Sequence, residues 1–221
     1  MINNWIAFLK RMPSLLFGLF LFSAGIVSNL YSEMGMMPWG VLNVGITNQT
    51  TMTLGQASQL VGFIVLVMGW FLGFAPGFGT VSNIYFIGLF IDLIIAWELL
   101  PTPSNLPGKM GMLFLSIGLI GIGSFFYMRV RLGAGPRDGL MMGLVKKLNR
   151  PVSFIRGVIE ITVLVIGYLL GGPVGPGTVI TAISVGLSVQ LAFRIGRYDK
   201  GVEHINLLQL LSFLSGKGSL H

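Results

Sequence analysis

The sequence predicts an all-α membrane protein with six transmembrane helices, arranged as two inverted three-helix repeats over about residues 11–98 and 109–196. Three observations predict this fold: the composition, six long apolar stretches and an internal repeat. Of the 221 residues, 53% are hydrophobic and only 10% are charged, whereas soluble domains carry about 25% charged residues. A soluble domain of this size cannot bury so much apolar surface. Because cysteine is absent, disulfide scaffolds and cysteine-based zinc sites are excluded.

Six apolar stretches have the length of about 20 residues that a membrane-spanning helix needs. They lie at about 13–31, 54–73, 79–98, 110–128, 152–170 and 176–195. Gly/Pro-rich segments at 73–79 and 171–177 predict tight turns between adjacent spans. We therefore expect residues 1–198 to form a single polytopic membrane domain. Residues 199–221 are expected to form a cytoplasmic tail with an amphipathic helix in the membrane interface.

An internal repeat becomes visible when the chain is shifted by 98 residues, and residues 98 apart are called equivalent positions below. Between Gly25 and Leu93, 18 of 69 equivalent positions are identical without a gap. Apolar matches are common by chance in such a chain, but eight of these pairs are glycines, one is proline and one is threonine. Three spans per repeat place the second copy in the opposite orientation in the membrane.

The charge distribution supports this orientation independently. If both termini are cytoplasmic, 13 of the 14 Lys and Arg residues fall on the cytoplasmic side, as membrane topology favours, and only Lys109 lies outside. Segment 32–53 has no Lys or Arg, whereas the equivalent segment 130–151 has five. The net charge of +7 is therefore interpreted as a topology signal and an attraction to anionic lipid at the cytoplasmic face. We do not expect nucleic-acid binding.

A short helix is predicted after the first span of each repeat, in segments 35–46 and 133–144. In each segment a glycine turn leads to a proline, and proline is well suited to the first turn of a helix. About 11 apolar residues are too few to cross the bilayer. Each segment is therefore either a helix lying in the interface or a re-entrant half-helix that dips into the protein.

A half-helix would direct its N-terminal amides at a central site. Arg137 and Asp138 lie at the tip of the second short helix, and Trp39 and Gly40 lie at the tip of the first. An arginine beside helix amides favours a carboxylate, sulfonate or phosphate group. The alternative is that Arg137 is one more cytoplasmic charge, near Asp138. The predicted substrate-binding residues are Gly35, Pro38, Trp39, Asn43, Asn83, Gly133, Gly135, Pro136, Arg137, Asp138 and Thr181.

A second glycine motif opens the third span of each repeat, at 77–81 and 175–179. Thr80 and Thr178 are expected to cap their helices, and packing and capping is the favoured interpretation of this motif. Asn83 and Thr181 lie one turn deeper, where they are able to face a cavity. Equivalent residues Asn29 and Tyr127, near the ends of their spans, are expected at the membrane interface.

Three acidic residues are candidates for carrying a coupling proton, because charge inside a membrane is costly and usually functional. They are Asp138, Glu160 and Asp92. The alternative for Glu160 is an ion pair with Arg156, four residues earlier on the same helix face. The alternative for Asp92 is simple solvation at the outer interface.

No enzymatic chemistry is expected from this sequence. The only histidines are His204 and His221, both in the tail, and cysteine is absent. No nucleotide-binding motif follows the glycine-rich stretches. We therefore expect neither a metal site nor a cofactor.

The six spans, the Gly-x-Gly-Pro-Arg-Asp-Gly run at 133–139 and the Gly-Pro-Gly-Thr-Val run at 175–179 resemble the bacterial YczE/YyaS/YitT-type integral membrane proteins. The resemblance is strongest to the YczE-like branch and covers about residues 10–200. It implies a location in the bacterial cytoplasmic membrane and supplies no substrate.

The function expected from these features is a small secondary transporter or exporter. It would move a small anionic or zwitterionic solute by alternating access between its two inverted halves. The alternatives are a channel-like pore, or a non-transporting membrane regulator or substrate-capture subunit of a larger transporter. A homodimer is also expected, because six short spans provide little wall around a central pathway.

The inverted arrangement is tested by reporter fusions. A reporter fused after residue 44 is expected in the periplasm and one after residue 147 in the cytoplasm, because equivalent segments of inverted repeats face opposite sides. Alkaline phosphatase and fluorescent-protein fusions measure this directly. Reporters that locate to the same side would rule out the inverted repeats.

Overall fold

A computed structural model of the chain describes residues 2–199 and 204–217. Residues 200–203 and 218–221 of the predicted tail lie outside the described residues. The described chain is all helical, without a strand. Its helices are α1 (Ile2–Leu9), α2 (Met12–Tyr31), α3 (Pro38–Gln49), α4 (Leu54–Phe71), α5 (Phe78–Ala96), α6 (Leu106–Met128), α7 (Pro136–Leu148), α8 (Val152–Leu169), α9 (Pro176–Ile195) and α10 (Leu207–Leu214).

The prediction of six membrane-crossing helices is confirmed. Helices α4, α5, α6, α8 and α9, and the stretch formed by α1 and α2 together, are long and apolar enough to cross a membrane. The chain is therefore a multi-pass membrane protein. The predicted bounds of the spans agree with α2, α4, α5, α6, α8 and α9 to within four residues, while the first apolar stretch also includes α1. The largest difference is at α6, which starts early because the side chain of Asn105 accepts a hydrogen bond from the Gly108 N–H at 2.8 Å.

The two threonines of the second glycine motif do cap their helices, but by a different geometry from a threonine N-cap. The helices α5 and α9 start after Gly77 and Gly175, and each threonine is three residues farther on. Its hydroxyl accepts a hydrogen bond from the N–H of that glycine, at 3.1 Å for Thr80 and 3.1 Å for Thr178. Each threonine thus satisfies one backbone donor at the start of its helix.

Helices α2 and α6 pack against each other along their length and form the centre of the molecule. Near the start of α2, the Ser14 hydroxyl donates to the carbonyl oxygen of Phe126 at 3.0 Å. Near its end, a Cβ atom at Gly25 would lie 3.1 Å from the carbonyl oxygen of Ser116. Contacts thus move forward along α2 and backward along α6, so the two helices are antiparallel. Glycine permits this close approach of two backbones.

Each short helix packs against the middle span of the other half of the chain: α3 against α8, and α7 against α4. A Cβ atom at Gly69 would lie 3.2 Å from the backbone nitrogen of Leu140. A Cβ atom at Gly167 would lie 2.5 Å from the backbone nitrogen of Leu42. Gly69 is equivalent to Gly167, and Leu42 is equivalent to Leu140. The second contact is therefore the first contact with the two halves exchanged.

A second pair of contacts repeats this exchange at the loops. The N–H of Gly79 donates to the carbonyl oxygen of Leu132 at 2.6 Å, and the N–H of Gly177 donates to that of Met34 at 2.7 Å. Each loop that precedes a short helix is therefore bound to the start of the third span of the other half.

Both short helices begin inside the protein and end at its surface. Residues 38–41 at the start of α3 are buried, and residues 48–50 at its end are exposed. In α7, Pro136 and Gly139 are buried, whereas Asp138, Met142 and 146–150 are exposed. A helix lying along the membrane interface would be accessible along its whole length, so the gradient in α3 favours the half-helix interpretation.

The described part of the tail contains α10, which packs on α1. The Asn4 side chain donates to the carbonyl oxygen of Phe213 at 2.7 Å. Leu210, Phe213 and Leu214 are buried, whereas Leu208 is exposed. An apolar face thus packs on the protein and apolar side chains also remain outside it, as suits a helix at a membrane interface.

The α2–α6 contact is tested with two glycines of α6. Gly123→Ala is expected to lower the unfolding free energy by about 1–3 kcal/mol, because the added methyl overpacks a closed contact. A Cβ atom there would lie 2.7 Å from the Gly18 carbonyl oxygen and 2.7 Å from the Phe22 nitrogen. Thermal unfolding in detergent measures the effect.

The matched control is Gly118→Ala in the same helix, where a Cβ atom meets nothing within 4 Å. This substitution is expected to be neutral or to stabilise by about 0.5–1 kcal/mol, the helix preference of alanine over glycine. Equal loss of stability in both variants would contradict the packing of α2 on α6.

Candidate functional site

A cavity of about 400 Å³ lies where the two short helices begin, and it is called the central cavity below. All six spans and both short helices contribute to its wall. The structure brings together nine residues predicted as binding or proton-coupling groups: Pro38, Trp39, Asn83, Gly135, Pro136, Arg137, Asp138, Glu160 and Thr181.

Trp39 and Arg137, which are equivalent residues, contact each other at this cavity. The guanidinium carbon of Arg137 lies 4.4 Å from the centre of a Trp39 ring, a distance typical of a cation–π interaction. None of the described residues accepts a hydrogen bond from this guanidinium. Its N–H groups are therefore available to a bound molecule.

The N-terminal ends of α3 and α7 border the same cavity. Their N-cap residues, Met37 and Gly135, provide no side-chain cap. The first N–H groups of a helix lack partners within the helix, and the helix dipole is positive at this end. Two positive helix ends and one guanidinium thus meet in one place, which favours a negatively charged group.

Acidic side chains balance these positive groups. Asp138 lies beside Arg137 in the cavity wall, and the Arg156 Nε atom lies 2.9 Å from the Glu160 Oε1 atom. The predicted ion pair within α8 is therefore confirmed, while proton coupling by Glu160 stays a prediction. Two arginines and two carboxylates give the wall a formal net charge of zero, so it offers partners to both charges of a zwitterion.

Gly35 and Gly133, predicted to bind substrate, lie outside the cavity wall and form the turns that start the short helices. Their φ angles are +95° and +131°, in the region where glycine is favoured over residues with a Cβ atom. The Asn29 amide donates to the Gly35 carbonyl oxygen at 3.3 Å, and the Tyr127 hydroxyl donates to that of Gly133 at 3.0 Å.

Asn29 and Tyr127, which are expected at the membrane interface, are buried inside the protein. They are 1% and 4% exposed, because each binds the turn before a short helix. The Asn29 side chain also accepts a hydrogen bond from the Met37 N–H at 2.9 Å. These two residues therefore fix where α3 and α7 begin.

Asn43 and Asp92 also lie outside the cavity wall. Asn43 is 2% exposed and its Oδ1 atom has no hydrogen-bond partner in the described chain. The Asp92 carboxylate accepts hydrogen bonds from the Thr53 hydroxyl at 2.6 Å and from the Gly55 N–H at 2.8 Å. It thus holds the start of α4, and its proposed proton coupling stays a prediction.

Several residues of the cavity wall were not predicted from the sequence. They include Phe22, Ser58, Tyr127, Gln190 and Phe193. The spans are apolar on most faces, so no periodic polar stripe identified the inner side. The internal repeat held one usable signal. Ser58 and Arg156 are equivalent positions within apolar spans, and both carry a polar side chain.

The two halves differ in how their second and third spans meet. Helices α4 and α5 pack closely, and this contact is called the first seam; α8 and α9, the second seam, do not pack closely. A Cβ atom at Gly88 would lie against Gln59 and Gly55 of α4, whereas one at the equivalent Gly186 meets nothing within 4 Å. Gly186 instead lines the cavity, which therefore extends into the second seam.

The sequence of this chain has bacterial relatives among known proteins. A family model described as "Family of unknown function (DUF6198)" matches residues 9–194. An "Uncharacterized protein" of Haemophilus influenzae is 38% identical over 191 residues, which cover 86% of this chain and 87% of the relative. The "Uncharacterized membrane protein YczE" of Bacillus subtilis is 33% identical over 179 residues, covering 79% and 81%. The "Uncharacterized protein YyaS" of the same species is 25% identical over 172 residues, covering 77% and 86%. No solved structure matches.

The role of Tyr127 is tested by Tyr127→Phe. The lost hydroxyl leaves the Gly133 carbonyl oxygen without its partner, so the unfolding free energy is expected to fall by about 1–3 kcal/mol. Tyr85→Phe is the control, since Tyr85 is 56% exposed. Thermal unfolding that ranks the two variants equally would show that the turn does not depend on this hydrogen bond.

Proposed function

We propose that this chain, which belongs to the DUF6198 family, is a small secondary transporter or exporter of a zwitterionic or anionic solute. The observation that carries the proposal is the central cavity, where the tips of two equivalent short helices meet at Trp39 and Arg137. Transport by alternating access needs one site that two halves of the protein can reach from opposite sides.

An arrangement of two inverted repeats is part of this proposal. It is supported by the antiparallel packing of α2 and α6, the equivalent first helices of the two halves. It is also supported by the paired contacts of Gly69 with Leu140 and of Gly167 with Leu42, which exchange the halves. Paired contacts of this kind are expected when a two-fold axis relates the two repeats.

The cavity wall itself supports a site on the axis of that relation. It contains ten pairs of equivalent residues: Phe22/Ile120, Ile26/Ser124, Met37/Gly135, Pro38/Pro136, Trp39/Arg137, Ser58/Arg156, Gly62/Glu160, Asn83/Thr181, Ile84/Ala182 and Ile87/Val185. Sites near the membrane midplane, at the interface between repeats and beside broken helices, are typical of secondary transporters.

The charges of the wall define the solute. The Arg137 guanidinium and the two helix ends bind a carboxylate, sulfonate or phosphate. Asp138 and Glu160 bind an amine or carry a coupling proton. Since the apolar part of the wall includes Phe22 and Ile26, the solute also has an apolar portion.

The remaining expectations accompany this proposal: a location in the bacterial inner membrane with both termini cytoplasmic, anionic lipid at the cytoplasmic face, a homodimer, and no enzymatic activity. A continuous pore is disfavoured by the close packing of the first seam. The described residues contain no cluster of three or more His, Cys, Asp or Glu side chains suited to a metal.

The site is tested by ligand-dependent thermal stability of the purified protein over a library of small anions and zwitterions. A solute at a hundredfold excess over its dissociation constant stabilises by about 2.7 kcal/mol. We expect this shift to vanish in Arg137→Ala and to be reduced in Arg137→Lys, since lysine lacks the planar fork of donors.

Arg150→Ala is the matched control, because Arg150 is an exposed arginine just after α7. It is expected to retain the full shift. If the stability shift persists in Arg137→Ala, the solute binds elsewhere than at the short helices. If the folded protein shows no shift with any compound, the proposal of a small charged solute is wrong.

A further inference from the structure

The second seam is open and the first seam is closed. The Asp92 carboxylate connects the two helices of the closed first seam. The Asp92 side chain extends from α5 to the start of α4. There it accepts one hydrogen bond from the Thr53 hydroxyl at 2.6 Å and one from the Gly55 N–H at 2.8 Å. Because Thr53 is the N-cap of α4, the negative charge also lies at the positive end of that helix.

The second seam lacks the carboxylate and the hydroxyl of this attachment. The residue equivalent to Asp92 is Gln190, which is neutral and lines the cavity. The residue equivalent to Thr53 is Pro151, which has no hydroxyl. Hydrogen bonds to a charged acceptor are about twice as strong as those between neutral groups. The unequal attachment therefore explains why the first seam is closed and the second is open.

Asn43, on the first short helix, adds an independent observation. It is 2% exposed, and its Oδ1 atom has no partner in the described chain. A buried polar atom without a partner destabilises the state that contains it. The equivalent residue of the second short helix, Met141, lines the cavity. If the seams exchanged, Asn43 would take the corresponding place in the cavity wall.

We infer that the first seam is a second entrance to the central cavity and that Asp92 is the latch that keeps it closed. In the exchanged state, α4 and α5 separate while α8 and α9 close. Asp92 then acts on access to the site and does not contact the solute. The inference rests on the proposed function, because it assigns the two entrances that alternating access needs.

The absence of cysteine from the chain makes disulfide cross-linking a direct test. Gly62→Cys with Ile84→Cys reports the first seam. A Cβ atom at Gly62 would lie 3.6 Å from that of Ile84, within the range of about 3.5–4.5 Å found in disulfides. Gly157→Cys with Gly186→Cys reports the second seam, where a Cβ atom at either glycine meets nothing within 4 Å.

Both pairs are oxidised in native membranes, with and without Asp92→Ala. We expect the initial rate of cross-linking to rise by up to about tenfold at the second seam and to fall at the first, because the loss of a charge-assisted hydrogen bond shifts the equilibrium between the two states by about tenfold or more. Glu98→Gln, which removes a negative charge just after α5, is the control and is expected to change neither rate. Asp92→Asn, which keeps the side-chain shape, replaces Asp92→Ala if that variant does not fold.

Each result decides between the inferences. A fall at the first seam without a rise at the second would overturn the exchange and leave Asp92 as a cap of α4. Unchanged rates at both seams would overturn the latch. Reciprocal changes in a protein that binds no solute would support the two entrances and reject the proposed solute. If solute binding depends on Arg137 but the cross-linking rates do not change, the proposed binding site stands and the role of Asp92 as a latch is wrong.

Discussion

Two helices of this protein begin in its interior, and the backbone polar groups around their starts must find partners within the chain. Apolar surroundings provide no water to satisfy such groups. Asn29 and Tyr127 bind the turns that precede α3 and α7, and the N–H groups of Gly79 and Gly177 bind the same loops from the other half. Each half thus supplies a hydrogen-bond donor to the loop of the other, and both short helices start where the two halves meet.

The same constraint determines the chemistry of the cavity. A helix that starts inside the protein directs its positive dipole, and N–H groups that have no partner within the helix, into the interior. Here two such starts converge, and their equivalent residues Trp39 and Arg137 contact each other. Acidic side chains from α7 and α8 bring the formal charge of the wall to zero. A zwitterion with an apolar portion matches this combination of groups better than a simple inorganic anion.

The two halves share their loop geometry and differ in their seams. The shared part includes glycines and threonines, whose backbones and hydroxyls make the same hydrogen bonds in both copies. The different part lies at the seams, where Asp92 faces Thr53 on one side and Gln190 lines an open cavity on the other. The sequence differences between the two halves, more than their similarities, thus determine which seam is closed.

The sequence by itself determined the six spans, the two short helices and the residues at their tips. Hydrophobic length determines what crosses a membrane, and proline after a glycine turn marks the start of a helix. These are local signals, and they located Arg137 and Trp39 correctly. Only the tertiary structure decided that Gly35 and Gly133 form turns outside the cavity wall, that Asn43 is buried elsewhere, and that Asp92 holds the start of α4. The faces of apolar helices carry little polarity pattern, so the side chains that meet across them are decided by packing between distant parts of the chain.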